Sequence, residues 1–197
     1  MRHKAVDIAM LHAQALDQSF LSTLGIPFLT LLYDAMIEDP DTIVLCEVEE
    51  SELVGFVTGG FGLRGIYIGL LKKPFSLLWS LKGIVFSFRR LRGIVEILIF
   101  SASSREEKAQ SEAMALPSAE LYTIAVDKRA RGTGAASRLY RSLGEVFLSQ
   151  GIDAYKVLVG DQLPVAHGFY KKMGAVPVLT ERLHGGSSST IYIQSLC

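Results

Sequence analysis

The stretch AVDKRARGTGAASRLYRSLGEVF, residues 125–147, places Lys128, Arg129, Arg131 and two glycines between an apolar run and a run with helical spacing. The run before it, ELYTIAV at residues 120–126, is rich in β-branched and aromatic residues and predicts a strand. From Gly134 onward Leu139, Leu143, Val146 and Phe147 recur on one helical face, and Gly151 supplies the stop. The segment thus reads strand, glycine-rich loop, helix. Small residues let successive backbone N–H groups approach a ligand, and a helix N-terminus adds about half a positive charge. Together they predict an anion site, with phosphate the natural ligand. No Gly-Lys-Ser/Thr follows, so the loop is not of the P-loop type. On residues alone, a plain tight turn before a helix remains the alternative.

A second glycine pattern, Gly60-Phe61-Gly62-Leu63-Arg64-Gly65, matches GxGxxG. A dinucleotide loop of that kind opens a helix and has an acidic residue about 20 positions further on. Here IYIGLLKKP follows and the next acid is Glu96, so a turn at a strand end is expected.

Composition narrows the class. Of 197 residues 49% are hydrophobic and 20% charged, enough to build a core. Net charge is zero, which argues against a protein devoted to duplex nucleic acid. Cys46 and Cys197 form no CxxC, and His3, His12, His167 and His184 are scattered, so no disulfide framework or metal site is expected. The N-terminal stretch mixes charged and apolar residues unlike a signal peptide, and the expected location is cytoplasmic. The most apolar region, residues 70–100, is interrupted by Lys72, Lys73, Lys82, Arg89, Arg90, Arg92 and Glu96, against a membrane span.

Elsewhere, residues 6–20 and 27–37 have helical spacing, with Pro27 suited to a first turn. TIVLCEV (42–48) and LVGFVT (53–58) predict a hairpin with a four-residue turn at 49–52. Residues 61–95 hold seven Lys or Arg and no acid, interleaved with Phe75, Trp79 and Phe86. A helix from Pro74 to about Arg92 is expected there, and 101–118 reads as a polar connector. The bland reading is an amphipathic helix on the core; an acyl- or acceptor-binding lid and a membrane-surface contact through 70–95 are the others. YKVLV (155–159) is a strand. Residues 164–173 form a short helix with Val165, Phe169 and Met173 inward, ended by Gly174. Residues 175–183 and 190–196 are two final strands around a turn at 185–189. With no repeat and no linker, one domain spanning 1–197 is expected, with an insertion at about 61–118.

In this arrangement the chain resembles the GCN5-related N-acetyltransferases (the GNAT superfamily), whose signature is Arg/Gln-x-x-Gly-x-Gly/Ala after the fourth strand. Two registers fit: Arg129-x-x-Gly132-x-Gly134 and Arg131-x-x-Gly134-x-Ala136. Spacing from the strand end at Val126 selects Arg131. AHGFYKKMGA, residues 166–175, is similar to the family's second motif. The resemblance is strong over 120–175 and weak in the insertion. It implies an α/β (mixed α+β) fold: a central mixed, mostly antiparallel sheet flanked by helices, with the basic-apolar insertion before the fourth strand.

The resemblance also implies acetyl-CoA as co-substrate and no metal. Arg131, Gly132, Thr133, Gly134, Ala135 and Ala136 would hold the pyrophosphate, and Ile124, Ala125 and Val126 would pair with the pantetheine arm. Tyr170 would be the general acid toward the departing thiolate. A backbone N–H near Ala125 would stabilise the oxyanion, a type of contact worth about 3–4 kcal/mol in other acyl-transfer enzymes. Glu120 is the candidate general base, with a solvated strand-end carboxylate as the equal alternative, and Tyr122 a weaker candidate. Where the family often carries Asn this chain has Leu163, with Asp161 and Gln162 upstream. The expected activity is N-acetyl transfer to a primary amine of a small molecule or aminosugar. A non-catalytic acyl-CoA sensor and a longer acyl donor are the alternatives, and a homodimer is an open partner.

Overall fold

The computed structural model describes residues 5–81, 116–182 and 188–196. Its elements run α1 (Ala5–Ala15), a 3-10 turn (Leu21–Leu24), α2 (Gly25–Glu38), β1 (Thr42–Glu49), β2 (Glu52–Gly60), α3 (Arg64–Leu71), α4 (Pro74–Leu81) and β3 (Glu120–Val126). A short 3-10 turn (Lys128–Ala130) leads to α5 (Ala135–Ser149), β4 (Ala154–Gly160), α6 (Pro164–Lys172), β5 (Val176–Arg182) and β6 (Ser188–Ser195). The strand that feeds the glycine loop is the third among the described residues. The expected helix beyond residue 81 and the connector at 101–115 lie outside the described residues.

The six strands form one sheet in the order β1-β2-β3-β4-β6-β5. Every neighbouring pair is antiparallel except β3–β4, which is parallel. The expected mixed, mostly antiparallel sheet flanked by helices is what the chain forms.

Each face of the sheet has its own core. On one face α1 and α2 bury Ile8, Leu29, Leu32 and Tyr33 against Phe56 and Ala125. On the other, α5 buries Leu139, Leu143 and Phe147 against Val57, Leu121 and Tyr155. Two glycines set how closely α5 lies: a Cβ on Gly55 would fall 2.9 Å from Leu139 and one on Gly59 3.2 Å from Leu143. Larger residues there would lift α5, and with it the glycine loop at its N-terminus. The 18 residues Leu21–Glu38 are apolar enough and long enough to cross a membrane. Here they wrap into the first core, where Phe28, Leu29, Leu32 and Met36 are buried.

Three local expectations need correction. The β1–β2 turn has two residues, since Glu49 pairs with Glu52. Its centre, Glu50 and Ser51, has φ of 49° and 72°, the all-positive pattern of a type I′ turn without the Asn-Gly that usually marks it. Val165 points outward, 86% exposed; the inward stripe of α6 is Ala166, Phe169, Tyr170 and Met173. The segment after Gly62 opens helix α3 instead of ending as a turn.

The first core holds a buried polar chain. His12, 1% exposed, has Nδ1 2.6 Å from the Tyr33 hydroxyl and Nε2 3.1 Å from Ser19 Oγ. Ser19 Oγ also accepts the Ser22 N–H, and the Ser22 hydroxyl donates to the Leu16 carbonyl. Burial lowers the His12 pKa to about 4, so the ring is neutral at physiological pH.

Two predictions follow the geometry. Ser51→Gly removes a left-handed strain of about 1 kcal/mol and raises the denaturant midpoint, because glycine adopts positive φ freely. For His12 the folded pKa lies below the unfolded value, so the unfolded chain takes up the proton first. Stability present above about pH 6.5 is therefore lost as pH falls toward 4, by about 3 kcal/mol. Urea unfolding between pH 7 and 4 should show this slope in the wild type and a shallower one in His12→Gln.

Candidate active site

The parallel seam between β3 and β4 is short. Pairing is confined to Glu120↔Lys156 and Leu121↔Val157, next to a hydrogen bond from the Lys156 N–H to the Ala119 carbonyl. Beyond it the strands separate. Ile124, Ala125 and Val126 keep their pairing with β2 and have no partner in β4. Backbone groups on the facing edges need a partner from elsewhere.

The separation begins at a β-bulge. Thr58 pairs with Thr123 and Gly59 with Leu121, so Tyr122 is the extra residue in β3. Strict alternation would put Glu120, Tyr122 and Ile124 on one face. The bulge replaces Ile124 with Thr123, and Glu120, Tyr122 and Thr123 together line a cavity of about 170 Å3. Apart from the phenol of Tyr67 on α3, the rest of its described wall is apolar, from α2 (Phe28, Leu32, Met36), α3 and Leu77 of α4. Thr123 is a residue that alternation in the sequence could not single out. The Tyr122 hydroxyl accepts the Gly62 N–H at 2.7 Å, and burial raises its pKa well above the usual phenol value. Glu120 lies 3.8 Å from Lys156 Nζ, a loose ion pair across the seam.

At the open end of the gap lies the glycine loop. Gly132 and Gly134 have φ of +83° and +87°, which side chains rarely tolerate. A Cβ on Gly132 would meet no atom within 4 Å, so the loop's outer face is open. Gly134 is the N-cap of α5 and no side chain caps the helix, leaving its first N–H groups for another acceptor. Ala135 is buried beneath, Ala136 half-buried, and Thr133 ties its hydroxyl back to the Ala130 carbonyl at 2.9 Å.

The three arginines of this region divide three ways. Arg129 is held by Glu52 (3.0 Å) and Asp127 (3.2 Å), whose carboxyl is kept below the usual range by hydrogen bonds from Arg129. Arg138 binds Glu47 at 2.6 Å and donates from Nη1 to the Thr133 carbonyl at 3.0 Å, bracing the loop. Arg131 is exposed and forms no ion pair with a described residue. Arg138 is a loop-positioning residue that the motif does not reveal, because its carboxylate partner lies 91 positions away.

The competing glycine pattern is filled by the protein itself. A Cβ on Gly60 would sit 2.3 Å from the Asp41 carbonyl, and one on Gly65 2.2 Å from the Asp39 carboxylate. With an acidic side chain against it and the Gly62 N–H already taken by Tyr122, that loop is not a cradle for a phosphate.

Tyr170 is 6% exposed and packs against Tyr140, Phe169 and Tyr192 at ring distances of 5.3–6.1 Å. Burial, then the Tyr140 phenol, raises its pKa, and its hydroxyl bonds to no described residue. On the same helix His167 bridges the Tyr192 hydroxyl (2.8 Å) and the Gly160 carbonyl (3.2 Å). Asp161 is tied to β6, accepting from Ser188 and, at 2.8 Å, from Thr190. The Gln162 amide packs over Gly160 and Leu163 is exposed, so neither Asp161 nor Leu163 reproduces the family's Asn as a free polar group. Trp79 is largely exposed and does not line the cavity; Phe86 lies outside the described residues.

Residues 12–175 match the model of the acetyltransferase (GNAT) family. No curated protein matches the sequence. Among solved structures, a Desulfovibrio desulfuricans protein assigned to the GNAT acetyltransferases superimposes with a TM-score of 0.61 at 11% identity, covering 100% of this chain and 98% of that one. An aminoglycoside 6'-acetyltransferase type Ii gives 0.59 at 14% identity over 98% and 90%. An aminoglycoside 6'-N-acetyltransferase complexed with coenzyme A gives 0.57 at 13% identity over 97% and 89%. At such identities these likenesses speak for the fold.

Proposed function

The chain belongs to the acetyltransferase (GNAT) family, and on that premise we propose that it moves an acetyl group from acetyl-CoA to a primary amine of a small molecule by direct attack. The observation that carries this reading is the two-pair seam between β3 and β4, which opens toward the uncapped N-terminus of α5. Such a gap suits a ligand with amides along its length and an anion at its end.

In this reading the edge of β3 at Ile124, Ala125 and Val126 receives the pantetheine amides as a further strand would. The N–H groups from Gly132 to Ala136 receive the pyrophosphate, and Arg131, which has no ion pair with a described residue, adds charge. The thioester then lies near the seam, where Glu120, Tyr122 and Thr123 converge. A neutral amine attacks the carbonyl carbon, the C–N bond forms and the C–S bond breaks. Glu120 takes the proton released by nitrogen, directly or through water. Tyr170 donates to the sulfur; its burial keeps the phenol protonated at every working pH, as a hydrogen-bond donor to a departing thiolate must be.

A covalent acyl-enzyme has little support. The half-buried Cys46 thiol is pushed up to about 11, first by burial and then by Asp7, so it is not a thiolate at neutral pH.

Acetyl-CoA binding followed by titration calorimetry, with thiol release as the measure of turnover, tests the assignment. Arg131→Glu should weaken acetyl-CoA by about tenfold or more, since it replaces a charge-assisted contact with repulsion. Unchanged affinity would remove the loop from the site. Tyr170→Phe should cut turnover by about a hundredfold with acetyl-CoA affinity nearly intact. A protein that binds acetyl-CoA and releases no thiol with any amine would instead be a sensor.

A further inference from the structure

The cavity beside the seam has a composition that restricts what enters it. Among the described residues its wall is built from leucines, Phe28, Met36, Ile66 and Tyr67, and Glu120 is its one charged group. Tyr122 already accepts the Gly62 N–H, and the Thr123 hydroxyl is engaged with Tyr33. Three of the polar lining residues stand on β3, and Tyr67 of α3 adds a fourth hydroxyl. The other described lining residues, Leu21, Leu24, Phe28, Leu32, Met36 and Leu77 among them, are apolar.

From this polarity we infer that the acceptor is a monoamine on an apolar body: a primary ammonium at Glu120, and a short alkyl chain or single ring among the leucines. The inference rests on the acetyl-transfer reading and deepens it. Glu120, which also faces Lys156 Nζ at 3.8 Å, is the one carboxylate among the described lining residues that an ammonium leaving water can meet. A polyamine or an aminoglycoside would bring further charges and hydroxyls against a wall whose described residues are mostly apolar, and each unpaired group carries a desolvation penalty. Size agrees. A leucine- and phenylalanine-lined cavity of about 150 Å3 holds benzene, and this one measures about 170 Å3. The likeness to aminoglycoside acetyltransferases therefore extends to fold and not to the acceptor. A longer acyl chain on the donor would also fill apolar space, but it would set no cation beside Glu120.

The test uses the full chain and thiol release from acetyl-CoA. Across propylamine, butylamine, pentylamine and hexylamine, kcat/KM should rise about three- to fourfold per methylene, the partition of one buried CH2. Phenethylamine should exceed both spermidine and an aminoglycoside by at least about tenfold, the reach of one or two unpaired polar groups. Leu77→Trp, at the half-buried rim, should cut hexylamine kcat/KM by about tenfold and leave ethylamine little changed, as filling the cavity removes two or more methylene sites. Its thermal stabilisation by acetyl-CoA should persist, which shows that the variant is folded.

If acetyl-CoA stabilises the protein but spermidine or the aminoglycoside is the better acceptor, the inference falls and the acetyl-transfer reading stands. If hexanoyl-CoA outperforms acetyl-CoA with short amines, the cavity takes the acyl chain and the inference falls too. If acetyl-CoA does not stabilise the protein at all, the acetyl-transfer reading fails and takes this one with it.

Discussion

The whole site depends on a sheet joined at its middle by only two residue pairs. β1, β2 and β3 form one well-paired half; β4, β6 and β5 form the other. Among the described residues, Glu120↔Lys156 and Leu121↔Val157 are the strand pairs that join them. A bulge sits at the next residue, Tyr122, and bulges strengthen local twist. The strands diverge at the point where the twist increases. Backbone groups on the diverging edges need another partner, because no described strand pairs with them. The gap is thus a consequence of seam and bulge, and the loop before α5 is placed at its mouth by the same strand.

How α5 meets that mouth is decided by packing. Gly55 and Gly59 let Leu139 and Leu143 press onto β2, which fixes the helix axis and its N-terminus. Arg138 then ties the loop carbonyl of Thr133 to Glu47 on β1. The loop is held from below by apolar contact and from the side by an ion pair, while its outer face stays open. Arg129 is spent on Glu52 and Asp127. Of the arginines nearest the loop, Arg131 is exposed and forms no ion pair with a described residue.

Much of this was legible in the sequence where local chemistry forces the residue. Positive φ at Gly132 and Gly134 demands glycine, so the loop could be read from its glycines. The stripe Leu139, Leu143, Phe147 is a one-face pattern and α5 followed from it. The failures have equally specific causes. On α6 Phe169 and Met173 pack inward as the helical period implies, but Val165 does not, and Ala166 and Tyr170 complete the buried face. The I′ turn was hidden because Glu50 and Ser51 are not residues that favour positive φ. The bulge at Tyr122 has no sequence signal, since it arises from pairing between strands more than 60 positions apart. Thr123 entered the cavity wall by that route and no periodicity could have placed it there.

The bulge also gives the sheet two chemically different sides at one strand. On the α1–α2 side β3 presents Glu120, Tyr122 and Thr123 to an apolar cavity. On the α5 side Tyr170 stands in a cluster with Tyr140, Tyr155 and Tyr192. A carboxylate suited to receiving a proton and a phenol that holds its own therefore belong to different cores, with the diverging strands between them. If they shared one pocket, the carboxylate would accept the phenol's hydrogen bond and each would blunt the other. The described cavity wall comes from the first 3-10 turn, α2, α3, α4 and β3, whereas the glycine loop is placed by α5.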